Sequence, residues 1–180
     1  MNATVSEDPC LTADFLALEA PEGYRAELVA GEIVLSPPQD GDHEAMIGRV
    51  LQQVLRAEPE FDYGPHKGLV VPGGRYIPDG TFTEYGAMRG QPGWWEPSGV
   101  VLVMEVTSRL PVREHELKRP GYALAGIPLY LVLDRGERTA VLYGRPVRGD
   151  YTLTTTARAG APLPLPAPFG FELDTADLFA

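Results

Sequence analysis

The sequence predicts an α/β domain: a mixed central β-sheet flanked by helices, with an extra β-ribbon near the C-terminus. Three observations carry this. Residues 43–58 (HEAMIGRVLQQVLRAE) place Met46, Ile47, Val50, Leu51, Val54 and Leu55 at spacings of three and four, one apolar stripe of a helix. Residues 100–108 (VVLVMEVTS) and 129–134 (LYLVLD) are near-continuous apolar runs rich in β-branched residues, the pattern of strands covered on both faces. Between them lies a helical segment at 113–125, so strand, helix and strand follow in the order of a parallel crossover unit.

The other elements fall around this core. Residues 11–20 read as a short helix with Thr12 as its cap and Pro21 after its end. Residues 24–37 read as two strands joined at Ala30-Gly31. Asp42 is placed to cap the helix that starts at His43, and Pro59 ends it. Residues 68–72 and 76–84 read as strands, with Pro78 pointing to an edge or an irregularity. Residues 140–145 and 151–157 read as the antiparallel ribbon. The stretch 160–180, with its alternating prolines, reads as an extended tail packed along the surface and closed by a short helix or turn. The whole chain, 1–180, is expected to form one domain, with an N-terminal helical segment at 1–22.

Composition narrows the function. Of 180 residues, 44% are hydrophobic and 22% charged, ordinary for a globular protein, and no run approaches the ~18 apolar residues of a membrane span. With no basic, then apolar, then small-residue leader at the start, the expected location is the cytoplasm. A lone cysteine, Cys10, excludes an internal disulfide and a cysteine-rich metal site. The formal charge of −10 runs against broad phosphate binding, although residues 109–119 concentrate Arg109, Arg113, Lys118 and Arg119. Walker, dinucleotide-glycine, GxSxG and HExxH motifs are all absent from the sequence.

The most informative residue is Glu105. It sits inside an apolar strand, where an ionised carboxylate is costly to bury unless it is paired, hydrogen-bonded or metal-bound. Asp79, between Pro78 and Gly80, is its natural partner. Two carboxylates suit a hard divalent cation, Mg²⁺ or Mn²⁺, which polarises a phosphoryl oxygen and lowers the pKa of a bound water. Lys118, on the helix that follows, is positioned to reach back over the sheet and stabilise charge on a phosphate. His43 opens the first strong helix on its apolar stripe, and Glu32 follows the Gly31 turn; either is a candidate for the same site or an ordinary structural residue. Trp94 and Trp95 are candidates for base stacking or for capping a loop.

These segments, in this order, resemble the Uma family of restriction endonucleases, a bacterial branch of the PD-(D/E)xK nuclease superfamily. The resemblance rests on LVAGEIVLSP (28–37), HEAMIGRVLQQVL (43–55), YIPDGTF (76–82), VVLVMEVTS (100–108), ELKRPGYALAGIPLYLVLD (116–134) and LPLPAPFGFELDTADLF (163–179). It implies a restriction-endonuclease-like fold and metal-dependent phosphodiester cleavage, often in a homodimer. The substrate it implies is nucleic acid, DNA ahead of RNA. By resemblance Asp79 and Glu105 take the metal-binding acidic positions, with Val106 counted beside them. Lys118 takes the catalytic lysine, His43 the histidine at the start of the first core helix, and Glu32 the acid after the glycine turn. One departure stands out: Pro120-Gly121 falls two residues after Lys118, where a proline is expected to kink the helix. Two other functions fit the same sequence, a non-catalytic dimerisation or binding module of this fold and a metal-dependent phosphodiesterase of small molecules.

Overall fold

A computed structural model describes residues 8–57, 60–107 and 114–180. Pro59, Ser108, Arg109 and Arg113 lie outside the described residues.

The chain is mixed α/β, as predicted. Helix α1 (Pro9–Ala17) begins earlier than its apolar pattern suggests, because Asp8 rather than Thr12 caps it, accepting from the Cys10 N–H at 2.9 Å. Pro9 fills a first-turn position where its missing N–H costs nothing. Strands β1 (Arg25–Val29) and β2 (Glu32–Ser36) form the expected hairpin. Its two turn residues, Ala30 and Gly31, both lie in the left-handed region at φ 50° and 85°, which matches the twist of the strands.

Helix α2 (Gly41–Arg56) is capped by Asp40, two residues before the expected Asp42, through the His43 N–H at 2.9 Å. Its stripe is as read for Met46, Ile47, Val50 and Val54, all buried, whereas Leu55 points to solvent. Strand β3 (Phe61–Pro65) carries Gly64 and Pro65 and has no strand signature in the sequence. It survives at the edge of a sheet, where a proline's missing N–H breaks no ladder.

The run 76–84 is not one strand. β4 (Gly68–Val71) pairs with β5 (Gly74–Tyr76), and β6 (Gly80–Glu84) belongs to a different sheet. Ile77, Pro78 and Asp79 are the crossing between the two, and Pro78 has no ladder bond to lose there. The first sheet has the order β2-β1-β5-β4-β7, closed by β7 (Trp94–Trp95) beside β4. Trp95 is buried and Trp94 packs edge-on against Phe15 at 5.5 Å, which makes this pair part of the core and its margin.

The second sheet has the order β11-β10-β9-β8-β6-β3. At its centre β8 (Val100–Val106) is buried along its whole length and runs parallel to β9 (Leu129–Asp134), joined through α3 (Glu114–Leu124) as the crossover predicts. The ribbon of β10 (Thr139–Val147) and β11 (Asp150–Arg158) is no appendage: β10 pairs with β9 from Thr139↔Asp134 onward and extends the sheet.

The C-terminal stretch ends on the expected short helix, but the segment before it is not a surface tail. β12 (Leu163–Leu165) and β13 (Phe171–Leu173) form a small hairpin, and α4 (Thr175–Leu178) follows. The Leu-Pro-Leu alternation turns Leu163 and Leu165 inward and Pro164 outward. With Phe169, Leu173, Leu178 and Phe179 they complete the core cluster beneath α2. The opposite face of β8 and β9 packs Val103, Val132 and Tyr130 against Tyr122 of α3 and Tyr76 of β5.

Candidate functional site

The site lies where the two sheets meet, at the C-terminal end of β8. The β6–β8 ladder pairs Gly80 with Met104, and one further step of that register sets Asp79 beside Glu105. Asp79 is buried, and its Oδ2 accepts the Val106 N–H at 2.8 Å. Its Oδ1 faces the Arg25 guanidinium at 3.4 Å. His43, at the start of α2, reaches the same spot: its Nε2 lies 3.2 Å from Asp79 Oδ2 and 3.2 Å from the Val106 carbonyl oxygen. Among the described residues its Nδ1 makes no hydrogen bond, with Glu44 Oε1 the adjacent charge at 3.5 Å.

Glu105 projects from the opposite face of β8 to Val106, in the row of Val103 and toward α3. Its Oε1 accepts from the Tyr122 hydroxyl at 2.7 Å and from Lys118 Nζ at 3.0 Å. Lys118 is buried at 2% exposure and is held on its other side by Glu27, with Nζ 2.8 Å from Oε1. Glu27, on β1, also accepts the Ile77 N–H at 2.5 Å, just before the crossing that carries Asp79. A single chain of polar contacts therefore links β1, the crossing and β8 with α3, while α2 joins through His43.

Pro120 does not turn Lys118 away. Helix α3 runs through it from Glu114 to Leu124, giving up the backbone bond that a proline cannot donate. Gly121 lets the helix sit low: a Cβ there would lie 2.6 Å from Tyr76 Cε2. Tyr76 and Tyr122 meet edge-on at 5.3 Å, which fixes the helix over the site.

Glu32 is the candidate that the structure does not bring in. It is exposed at the start of β2, opposite Val29, and does not line the cleft. Glu27, five residues earlier on the partner strand, is the hairpin acid that faces α3. Its signal was the one that marked Glu105, an acid inside an apolar strand. Thr107 lines the cleft and accepts from the Arg135 N–H at 3.2 Å.

The electrostatics follow from burial and pairing. Burial pushes Glu105 up to about 8; Lys118 and the Tyr122 hydroxyl oppose this, while Asp79 and Glu27 add to it. Lys118 is held well above its ordinary value: burial works against its charge, but Glu105 and Glu27 together outweigh it. For Asp79, burial acts upward and is overcome by the His43 hydrogen bond and charge, the Val106 N–H and Arg25, so its carboxyl is held below the usual range. His43 is raised, its burial outweighed by Asp79 and, more weakly, Glu44 and the Val106 carbonyl. Two acids, Glu105 and Glu27, thus flank one buried ammonium.

This donor set suits a hard divalent cation. Among the described residues no three His, Cys, Asp or Glu side chains form a ready-made metal cluster. The donors that fit are two carboxylates and a backbone carbonyl, Asp79, Glu105 and Val106. The 3.2 Å contacts of His43 Nε2 hold the Asp79 carboxylate and the Val106 carbonyl at the same spot. The cleft around these groups encloses about 420 Å³, with the loop from Leu35 to Asp40 as its outer wall.

The comparisons with known proteins agree with this architecture. No curated protein matches the chain. Among solved structures, a protein described as a "putative nuclease belonging to DUF820" from Anabaena variabilis ATCC 29413 is similar with a TM-score of 0.72 and 18% identity. The likeness covers 93% of this chain and 96% of that one, and the fold is restriction-endonuclease-like. Among the described residues no helix is long and apolar enough to cross a membrane. The profile of the Uma2 family, described as "Putative restriction endonuclease", matches residues 12–176, and the chain belongs to that family.

Proposed function

We propose that the chain is a metal-dependent nuclease that hydrolyses phosphodiester bonds of nucleic acid, DNA ahead of RNA, in the cleft between its two sheets. One observation carries this reading: Asp79, Glu105 and Lys118, from three separate elements, line a single cleft with Lys118 bonded to Glu105 at 3.0 Å. Asp79, Glu105 and the Val106 carbonyl would hold Mg²⁺ or Mn²⁺. Such an ion supplies a polarised phosphoryl oxygen and a water of lowered pKa.

The chain's own groups divide the remaining work. Lys118 stays protonated, so it acts as a fixed positive charge and not as a base. Two of its three N–H donors are taken by Glu27 and Glu105, which aim the ammonium into the cleft. Tyr122 and Glu27 hold Glu105 and Lys118 in register, as positioning residues. His43 keeps Asp79 ionised from the other side. A homodimer and a cytoplasmic setting belong to the same reading.

The test is cleavage of DNA and RNA oligonucleotides with Mg²⁺ or Mn²⁺ and with EDTA, for wild type, Asp79→Ala and Glu105→Ala. Cleavage that needs the metal and is lost in both variants supports the reading. Cleavage that survives both substitutions refutes the assigned site. Absence of cleavage together with absence of metal binding points to the non-catalytic module, and turnover of small phosphodiesters alone to the phosphodiesterase.

A further inference from the structure

The cluster is built to hold cations, and its three acids repel a phosphate. Lys118 is buried and committed to Glu27 and Glu105. Among the described residues, the one guanidinium that lines the cleft is Arg25. It lies two residues before Glu27 on β1, hence on the same strand face, with Glu27 buried and Arg25 a quarter exposed at the mouth. Its contact with Asp79 Oδ1 is a single one at 3.4 Å. That is long beside the 2.7–2.9 Å of a strong charge-assisted bond, so the fork is held near the site without being locked.

What holds it is His66. Nδ1 of His66 contacts Nη1 of Arg25. A guanidinium can only donate, so this ring nitrogen accepts and the imidazole is the neutral tautomer with its proton on Nε2. His66 occupies the turn between β3 and β4 with φ at 50°, a left-handed conformation uncommon for a residue with a Cβ. A non-glycine residue kept in such a conformation beside a site points to a task for its side chain.

We propose that Arg25 is the residue that grips the phosphate at the mouth of the cleft, and that His66 positions it. The guanidinium turns from Asp79 onto the non-bridging oxygens of a backbone phosphate, where its planar fork suits two parallel hydrogen bonds. Release of Arg25 also frees Asp79 Oδ1. This assignment rests on the nuclease reading above.

Binding, read without turnover, tests it. The probes are short fluorescein-labelled DNA oligonucleotides, single-stranded and duplex, with Ca²⁺ in place of Mg²⁺, followed by anisotropy over a salt series. Arg25→Ala weakens binding about ten- to a hundredfold, the range for a lost hydrogen bond to a charged group. It also reduces the slope of log K against log salt by about one unit, as expected for one lost phosphate contact. Arg25→Lys recovers part of both. Mn²⁺ affinity, measured by calorimetry, is unchanged or tighter in Arg25→Ala. His66→Gly fits the left-handed backbone, folds at least as well, and still weakens binding; His66→Asn, which keeps an acceptor and tolerates that φ, restores it. Wild-type affinity and salt slope in Arg25→Ala would overturn the proposal while leaving metal-dependent cleavage intact. A wild-type protein that neither binds nor cleaves any oligonucleotide overturns both this assignment and the nuclease reading.

Discussion

Replacing Lys118 by methionine isolates the charge at the heart of the site. Methionine keeps the unbranched apolar stem, so packing along α3 changes little. What is lost is Nζ, 2.8 Å from Glu27 and 3.0 Å from Glu105 at a position 2% exposed. Removing one partner of a buried ion pair leaves an uncompensated charge and costs about 3–5 kcal/mol. Here two acids are orphaned, but Glu105 already sits near 8 and takes up a proton at neutral pH, which places the loss toward the lower end. For a chain of this size that lowers Tm by roughly 6–20 °C. The double variant Glu27→Gln/Lys118→Met is less destabilised than the sum of its single changes, because each removes the other's reason for harm. Urea unfolding followed by circular dichroism, in EDTA, compares the two single variants and the double variant with wild type. A loss below about 1 kcal/mol for Lys118→Met, the worth of an exposed pair, would refute the buried geometry.

Three further outcomes follow from the same geometry. Gly121→Ala pushes a Cβ against Tyr76, lifts α3 and costs about 1–3 kcal/mol in urea unfolding, with cleavage falling further because Lys118 and Tyr122 move with the helix. Glu32→Gln leaves Mn²⁺ affinity and cleavage as in wild type, whereas Glu27→Gln impairs cleavage; assays of the two side by side decide between the hairpin's two acids. In metal-free protein, the folded state holds the Glu105 proton more tightly than the unfolded chain, since its value rises from 4.5 to about 8. Its contribution to stability therefore falls as pH rises through that window, and Glu105→Gln flattens the pH dependence of the urea midpoint between those limits.

Much of the fold was legible because hydrophobic period and strand order are local properties. The all-apolar runs gave β8 and β9, the stripe gave α2, and an acid inside β8 marked Glu105 on physical grounds alone. Asp79 draws its weight from Glu105 and from the family resemblance, and Lys118 from its place on the helix after β8, since a Pro-Asp pair and a lysine among charged residues look ordinary in isolation. The residues from 76 to 84 read as one strand because no local pattern says that Pro78 marks a change of sheet. The proline-rich end read as a surface tail because its burial depends on the distant stripe of α2. The sequence singles out Glu32 and leaves Glu27 unmarked for a similar reason. Both sit on one hairpin, and which acid is covered depends on where α3 lies, information held far along the chain in Tyr76 and Gly121.

The claim on which the rest depends is that Asp79 and Glu105 hold one divalent ion between them. Calorimetric titration of Mn²⁺ into wild type, Asp79→Asn and Glu105→Gln tests it directly, with circular dichroism confirming that each variant is folded. The predicted result is one ion per wild-type chain and a large loss of affinity in each variant, with the two losses far from additive because both acids serve the same ion. Unchanged Mn²⁺ affinity in either folded variant, or no binding by the wild type, would contradict the account.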